Sequence, residues 1–291
     1  MCNQRYRDTV CKNTHTAIKI ARKYTYEILG VPDNQAIILS ATSCFHGRTY
    51  PQHHGNPHTC TIRVRTAQHY TGTLQAVSMS TDPEAREHFG PLVPGHVKVR
   101  YNDLEDLEAK LQEYNGRVAG FLVEPIQGEA GIIVPDDGYL RKSYELCKKY
   151  NTLYIGDEIQ SGIGRSGKLL ANDYEQVKPD ILILGKSLTG GVCIASAVLA
   201  SAQVMQVMTP GIHGSTYGGN PLSCAVSVEA LKALKEENMI ENSYKQGQKF
   251  RQGMVELQQQ YPEILTNVRG KGLFNGITLN PTYEKTATDL C

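Results

Sequence analysis

The chain has 291 residues, and its 30 lysines and arginines nearly balance its 29 aspartates and glutamates. This charge balance gives no basic surplus of the kind that nucleic-acid-binding proteins carry. No apolar run approaches the roughly 18 residues needed to cross a bilayer, and the N-terminus lacks the apolar core of a secretory signal. The eight cysteines contain no C-x-x-C pair, which is typical of free thiols in a reducing, intracellular compartment.

Apolar periodicity predicts strands that alternate with helices along the chain. The predicted helices are Thr16–Leu29, Leu104–Tyr114, Tyr139–Tyr150, Leu222–Glu237 and Glu241–Tyr261. The predicted strands are Ala36–Leu39, Val97–Tyr101, Val118–Val123, Leu153–Gly156, Ile181–Leu184 and Ile194–Ala200. Such alternation predicts an α/β fold in which a mostly parallel sheet is covered by helices on both faces.

Two charged residues follow two of these strands. Asp157 ends the strand Leu153–Gly156, and Lys186 comes after Ile181–Leu184 and one glycine. Open α/β sheets bind ligands at the carboxyl ends of their strands. An amine and a carboxylate there are the two groups that pyridoxal phosphate needs, one to form an imine with its aldehyde and one to hold its ring nitrogen protonated. The alternatives are a solvated loop lysine and an aspartate that caps a helix.

Four motifs in chain order strengthen the cofactor hypothesis. They are F-L-V-E-P-I-Q-G-E-A-G at 121–131, G-D-E-I-Q-S-G at 156–162, L-G-K at 184–186 and G-S-T-Y-G-G-N-P at 214–221. Together they resemble the class III aminotransferases, and within that family the ornithine aminotransferases. The resemblance runs from about Thr16 to Gly276. It implies the large domain of a fold type I pyridoxal-phosphate enzyme.

The resemblance also implies roles for individual residues around the cofactor. Lys186 and Asp157 are the catalytic pair, and both bind the cofactor. Phe45 matches an aromatic residue that stacks on the cofactor ring, with ordinary core packing as the alternative. Gln160 matches a residue near the ring's 3′-oxygen. Ser215 and Thr216, the remaining cofactor ligands, match a pair that reaches the phosphate held by a neighbouring subunit, which implies a homodimer.

Two further residues are implied to bind substrate. Arg48 matches an arginine that binds an α-carboxylate, a task suited to a planar bidentate donor. Glu129 matches a glutamate that pairs with an arginine in the C-terminal part of ornithine aminotransferases. Glu124 ends a strand before a proline, and the sequence leaves its role open between structural support and contact with the site.

Three segments depart from the family pattern. The phosphate-binding turn N-T-G-x-E-A corresponds to K-N-T-H-T-A at 12–17, which lacks the glycine. Residues 50–73 interrupt the match and hold four of the nine histidines; we expect a disordered insertion, with a metal site as the alternative and no metal in the site proper. The resemblance also implies a cofactor-binding large domain at 1–262 and a stub of the small domain at 263–291, so most of the small domain is expected to be missing.

The predicted activity is transfer of the δ-amino group of L-ornithine to 2-oxoglutarate, impaired in this chain by the incomplete turn and the missing domain. The alternatives are an acetylornithine or other ω-amino-acid aminotransferase, and a non-catalytic fragment that only pairs with a full-length subunit.

The motif G-x-G-x-x-G at 162–167 matches a dinucleotide fingerprint, but it lacks the adjacent strand and the distant acid that the fingerprint requires. The predicted compartment is the cytoplasm, with the mitochondrial matrix, where animal relatives reside, as the alternative.

Overall fold

A computed structural model describes residues 10–47 and 74–283. The strands are β1 (Ile37–Ala41), β2 (His96–Val99), β3 (Val118–Val123), β4 (Leu153–Asp157), β5 (Ile181–Leu184), β6 (Ala197–Ala200), β7 (Leu265–Lys271) and β8 (Phe274–Leu279). The helices are α1 (Val10–Glu27), α2 (74–79), α3 (Pro83–Arg86), α4 (Leu104–Glu113), α5 (Tyr139–Lys149), α6 (Ala202–Met205), α7 (Pro221–Glu236) and α8 (Met239–Gln260). None of the helices in these ranges is long and apolar enough to cross a membrane.

Six strands form one sheet in the order β2-β1-β3-β4-β5-β6. The first five strands are parallel, and β6 pairs antiparallel with β5. The predicted α/β class and mostly parallel sheet are therefore confirmed. The predicted strand from Ile194 is shorter than expected, because Ile194 is 71% exposed and pairing starts only at Ala197.

Helices cover both faces of the sheet. Successive side chains of a strand point to opposite sides, so these apolar strands present buried side chains to both layers. On β4, Ile155 faces the layer that contains α1, and Tyr154 faces the layer that contains α4 and α5. The α1 layer includes Ile18, Ile20, Ile38, Leu122, Ile155 and Ile181. The opposite layer includes Leu39, Leu107, Leu111, Phe121, Leu140 and Tyr154. The sheet thus lies between two packed layers, which fix the positions of its strand ends.

Helix α1 begins before the predicted start at Thr16. It starts at Val10, so residues 12–17 lie within a helix and not in a turn before one. The segment contains no glycine or proline that would stop a helix. This part of the helix also packs against the rest of the protein. Its buried residues are Asn13, Thr14, Thr16 and Ala17. The cofactor-phosphate turn that the family resemblance places here is therefore replaced by helix.

The strands β7 and β8 form a separate antiparallel hairpin that packs on α8. The contact depends on Gly247 of α8, where an added Cβ would lie 1.7 Å from the carbonyl oxygen of Gly272 in the hairpin turn. A second glycine of the same helix, Gly253, has no atom from another part of the described chain within 4 Å of an added Cβ. These two glycines separate the packing effect of a methyl group from its effect on helix propensity.

We expect Gly247→Ala to lower the free energy of unfolding by about 3 kcal/mol, because the hairpin backbone must move away from α8. Gly253→Ala is expected to raise the same free energy by up to ~1 kcal/mol, since alanine favours a helix over glycine. Urea denaturation of both variants measures the difference. Equal urea midpoints for the two variants would show that the hairpin does not pack on Gly247 as described.

Candidate active site

Three polar residues lie at the carboxyl-terminal edge of the sheet. Glu124 follows β3, Asp157 ends β4, and Lys186 follows β5 after one glycine. The three strands are parallel neighbours, so their carboxyl ends meet at the same edge. This is the position at which open α/β sheets bind ligands.

Asp157 is buried and pairs with His46, which lies in the loop after β1. His46 Nδ1 donates to Asp157 Oδ2 at 2.7 Å, and the amide of Ile159 donates to Oδ1 at 3.1 Å. Burial opposes protonation of His46, but Cys44 and the hydrogen-bonded Asp157 carboxylate outweigh it and raise the pKa of His46 well above its ordinary value. The second ring nitrogen, Nε2, is buried without a hydrogen-bond partner among the described residues. These hydrogen bonds therefore fix the Asp157 carboxylate at this edge of the sheet.

Lys186 opens a short 3-10 helix, Lys186–Thr189, at the end of β5. Its backbone has φ +39°, in the left-handed region that residues other than glycine rarely adopt. The side chain is exposed. Its ammonium donates to Gln160 Oε1 at 3.0 Å. The amine is thus accessible to a ligand while being held by one neutral acceptor.

Glu124 connects Gln160 to the loop that carries Phe45. Its Oε1 accepts from Gln160 Nε2 at 3.2 Å, and its Oε2 accepts from the backbone amide of Phe45 at 3.0 Å. Burial raises the pKa of Glu124 to about 7, with His46 lowering it and Asp157 raising it further. A continuous line of hydrogen bonds therefore runs from Lys186 through Gln160 and Glu124 to Phe45.

The residues at this edge fit one end of a pyridoxal cofactor. Lys186 would offer an amine to the aldehyde, Asp157 a carboxylate to the ring nitrogen, and Gln160 an amide to the ring oxygen. The phosphate end is less complete. Asn13 of α1 donates from Nδ2 to Leu184 O at 3.1 Å, and within the described chain its Oδ1 and the hydroxyl of Thr14 are buried without partners.

The family model for class III aminotransferases matches residues 7–291. The chain belongs to the class III aminotransferases.

Named relatives of this class III aminotransferase chain are ornithine aminotransferases. It is 44% identical over 286 residues to the mitochondrial ornithine aminotransferase of Oryza sativa subsp. japonica, covering 98% of this chain and 55% of the rice protein. It is 45% identical over 294 residues to the ornithine aminotransferase of Emericella nidulans, covering 98% of this chain and 59% of that protein. The chain thus spans somewhat more than half the length of the curated relatives it matches.

Solved structures give the same family. The ornithine aminotransferase of Toxoplasma gondii ME49 superposes with a TM-score of 0.84 at 40% identity, covering 96% of this chain and 60% of that one. The acetylornithine aminotransferase of Elizabethkingia anophelis superposes with a TM-score of 0.80 at 43% identity, covering 99% of this chain and 64% of that one. Both likenesses agree with the α/β fold described above.

The structure brings four of the predicted site residues of the class III aminotransferase chain to one edge. Lys186 donates to Gln160, and Asp157 lies three residues before Gln160. The backbone amide of Phe45 and the side chain of Gln160 both donate to the Glu124 carboxylate. The roles of these residues toward a cofactor remain predictions. Arg48 lies outside the described residues, as do the insertion at 50–73 and its histidines.

Three other predicted residues lie on loops outside this line of hydrogen bonds; of these, Glu129 follows Gly128, which packs against Gln160. Ser215 and Thr216 are in the loop before α7, where Ser215 Oγ accepts from the amide of Gly218 at 3.1 Å and Thr216 is exposed. Glu129 is exposed on the loop after β3. That loop is held by Arg269 of β7, whose Nε donates to the carbonyl oxygens of Gly131 at 2.9 Å and Ile132 at 3.0 Å.

The sequence did not identify His46 as a site residue and left Glu124 undecided. A simple rule would have found both. Each is a polar residue shortly after a strand that is parallel to β4, so its position at the same sheet edge follows from topology alone. What topology does not give is the pairing of His46 with Asp157, which depends on the path of the loop after β1.

Proposed function

We propose that this chain takes part in pyridoxal-phosphate-dependent transamination, converting L-ornithine and 2-oxoglutarate to glutamate 5-semialdehyde and glutamate. One observation supports the proposal most: the accessible Lys186 amine lies against Gln160 at the sheet edge that also holds the buried Asp157 carboxylate. The names of the rice and Emericella relatives favour ornithine as the amine. Their lengths make the whole reaction a proposal for this chain, which covers 55% and 59% of those proteins.

When bound, pyridoxal phosphate supplies an aldehyde that accepts the amino group and an electron-withdrawing ring. In this proposal Asp157 keeps a proton on the ring nitrogen. Each of its carboxylate oxygens retains a lone pair beyond those used by His46 and Ile159. Lys186 would hold the cofactor through its amine and would move a proton at the substrate's δ-carbon after substrate binds.

Substrate and dimer contacts complete the proposal. Arg48 and Glu129 are assigned to the substrate, and Phe45 to the cofactor ring. Ser215 and Thr216 are assigned to the phosphate held by a second subunit. Exposed apolar side chains around their loop support a homodimer contact there; they are Val192 at 77%, Ile194 at 71%, Tyr217 at 80% and Leu222 at 69% exposure.

Three further parts of the proposal concern the domains, the turnover rate and the compartment. We propose that 1–262 forms the cofactor-binding domain and that the β7–β8 hairpin, within 263–291, belongs to a C-terminal domain. We expect slow turnover, since residues 12–17 are helical and each lost hydrogen bond to the phosphate would remove about 1.5–3 kcal/mol. We propose the cytoplasm as the compartment, with the mitochondrial matrix as the alternative because the rice relative is named mitochondrial.

Two alternatives keep specific support. The likeness to the Elizabethkingia protein supports N-acetylornithine as the amine. The helical 12–17 segment supports a non-catalytic chain that pairs with a full-length subunit. Both can be tested on the same preparation.

The test is titration of the purified chain with pyridoxal phosphate, followed by borohydride reduction and peptide mapping. We expect reduction to fix the cofactor on the peptide that contains Lys186. L-ornithine with 2-oxoglutarate should then give glutamate 5-semialdehyde faster than N-acetyl-L-ornithine gives its aldehyde. A faster reaction with N-acetylornithine would favour the first alternative, and attachment scattered over surface lysines would favour the non-catalytic one.

A further inference from the structure

Gln160 is held at both ends of its side-chain amide, and the two ends have different partners. We infer that Glu124 is a positioning residue that turns the Gln160 amide so that its oxygen faces the Lys186 amine. The inference deepens the proposed function, because it rests on Lys186 being the amine that receives the cofactor. Neither the family match nor the names of the relatives assigns this role to Glu124.

The direction of the amide follows from what each partner can offer. An ionised Glu124 only accepts hydrogen bonds, and a lysine ammonium only donates them. Gln160 therefore turns its nitrogen to Glu124, at 3.2 Å, and its oxygen to Lys186, at 3.0 Å. In the reversed orientation Gln160 would present donors to the ammonium and an oxygen to the carboxylate, so both hydrogen bonds would be lost.

Glu124 can impose this orientation because it is itself fixed. Its side chain is buried, and its second oxygen accepts from the backbone amide of Phe45 at 3.0 Å. The backbone at this point is held by the hydroxyl of Tyr101, which donates to the carbonyl oxygens of Glu124 at 3.2 Å and Pro125 at 3.1 Å. The carboxylate is therefore anchored to β3 and to the loop after β1, independently of Gln160.

The space around the Gln160 amide is fitted to this one position. An added Cβ at Gly128 would lie 2.4 Å from Gln160 Nε2 and 2.6 Å from its Oε1. The absence of a side chain at residue 128 thus allows the amide to lie between Glu124 and Lys186. A flexible surface glutamine would not be expected to have so close a neighbour on its amide.

The arrangement is sensitive to pH near neutrality. Burial raises the pKa of Glu124 to about 7, while His46 lowers it and Asp157 raises it. The other charged group on this line of hydrogen bonds is Lys186. A protonated Glu124 carries a donor, so below this pH it no longer favours the Gln160 nitrogen over the oxygen. Gln160 then loses its preferred orientation toward Lys186.

The experiment measures how fast acetic anhydride acetylates Lys186 in the cofactor-free chain, quantified by peptide mass spectrometry. The amine must leave Gln160 Oε1 before it can attack the anhydride, so loss of this acceptor is expected to speed the reaction about tenfold, the effect of one hydrogen bond. Glu124→Gln retains the volume but presents an N–H to Gln160 and favours the reversed amide. Gln160→Leu removes the amide altogether.

If Glu124 acts through Gln160, each variant accelerates acetylation about tenfold and the double variant is no faster than Gln160→Leu alone. Additive effects, or an unchanged rate in Glu124→Gln, would overturn the inference. Glu158→Gln is the matched control, since Glu158 is a buried carboxylate that binds Asn172 and Ser161 instead. It should leave the rate at Lys186 unchanged.

A second measurement does not require a Glu124 variant to fold. In the unaltered chain the pH profile of Lys186 acetylation should show an inflection near pH 7, and Gln160→Leu should remove it. A profile without that inflection, or one that persists in Gln160→Leu, would contradict the inference. Because no cofactor is added, failure of pyridoxal phosphate to bind would refute the proposed function without affecting this result.

Discussion

Replacing Lys186 with alanine is expected to abolish covalent capture of pyridoxal phosphate at the sheet edge. The Lys186 amine lies at the end of β5 within 3.0 Å of Gln160, and the other site groups provide no amine. After reduction with borohydride, the cofactor should be absent from the peptide that spans β5. Absorbance spectra and peptide mass spectrometry measure the loss.

Lys178→Ala is the matched control, because Lys178 is an exposed lysine shortly before β5. It should leave the attachment at Lys186 unchanged. Equal labelling of the Lys186→Ala variant and the control would mean that the cofactor reacts with surface amines. In that case the class III family membership would stand, but the proposed activity would not.

Asp157→Ala is expected to lower the free energy of unfolding by about 3–5 kcal/mol, the usual cost of leaving one member of a buried charged pair without its partner. His46 Nδ1 lies 2.7 Å from Asp157 Oδ2, and both side chains are almost fully buried. The variant therefore leaves a buried imidazole whose proton has lost its acceptor. Urea denaturation near pH 6 measures the change.

Asp157→Ala should lower the free energy of unfolding by a smaller amount at alkaline pH. The pKa of His46 is raised in the folded protein, so the stability gained from the pair is fully present below the unfolded pKa of ~6.5 and is lost as pH rises through the folded pKa. The difference between Asp157→Ala and the unaltered chain should thus shrink from pH ~6 to pH ~9. Glu113→Gln, which breaks an exposed 2.6 Å pair with Lys110, should show no such trend. A constant difference across this range would indicate a neutral His46.

Much of the fold was predictable because each central strand is a short apolar run that ends at a polar or glycine residue. The buried strands β3 and β4 lie at the positions predicted from Val118–Val123 and Leu153–Gly156, with Asp157 added to β4. Parallel pairing then brings Asp157 and Lys186 to one edge without further information. Periodicity thus gives both the layers of the fold and the main polar residues of the site.

Other features depend on contacts between residues distant in sequence. Residues 12–17 lack the glycine of the phosphate-binding turn, which permits a helix without requiring one; burial of Asn13 and Thr14 against the sheet then favours the helix. The antiparallel direction of β6 likewise follows from the turn after Lys186 and not from the apolar pattern. The orientation of Gln160 depends on Glu124, 36 residues earlier in the chain.

The backbone of Lys186 has φ +39°. Residue 186 therefore combines a side chain that the proposed activity needs with a backbone conformation that lowers stability. Glycine adopts this conformation without the ~1–2 kcal/mol that an L-residue loses there. Selection for thermal stability alone would therefore favour a glycine at residue 186, and the resulting protein would be more robust but would lack its amine. A stabilised form of this chain must keep the lysine and gain its stability elsewhere, since the strain belongs to the site itself.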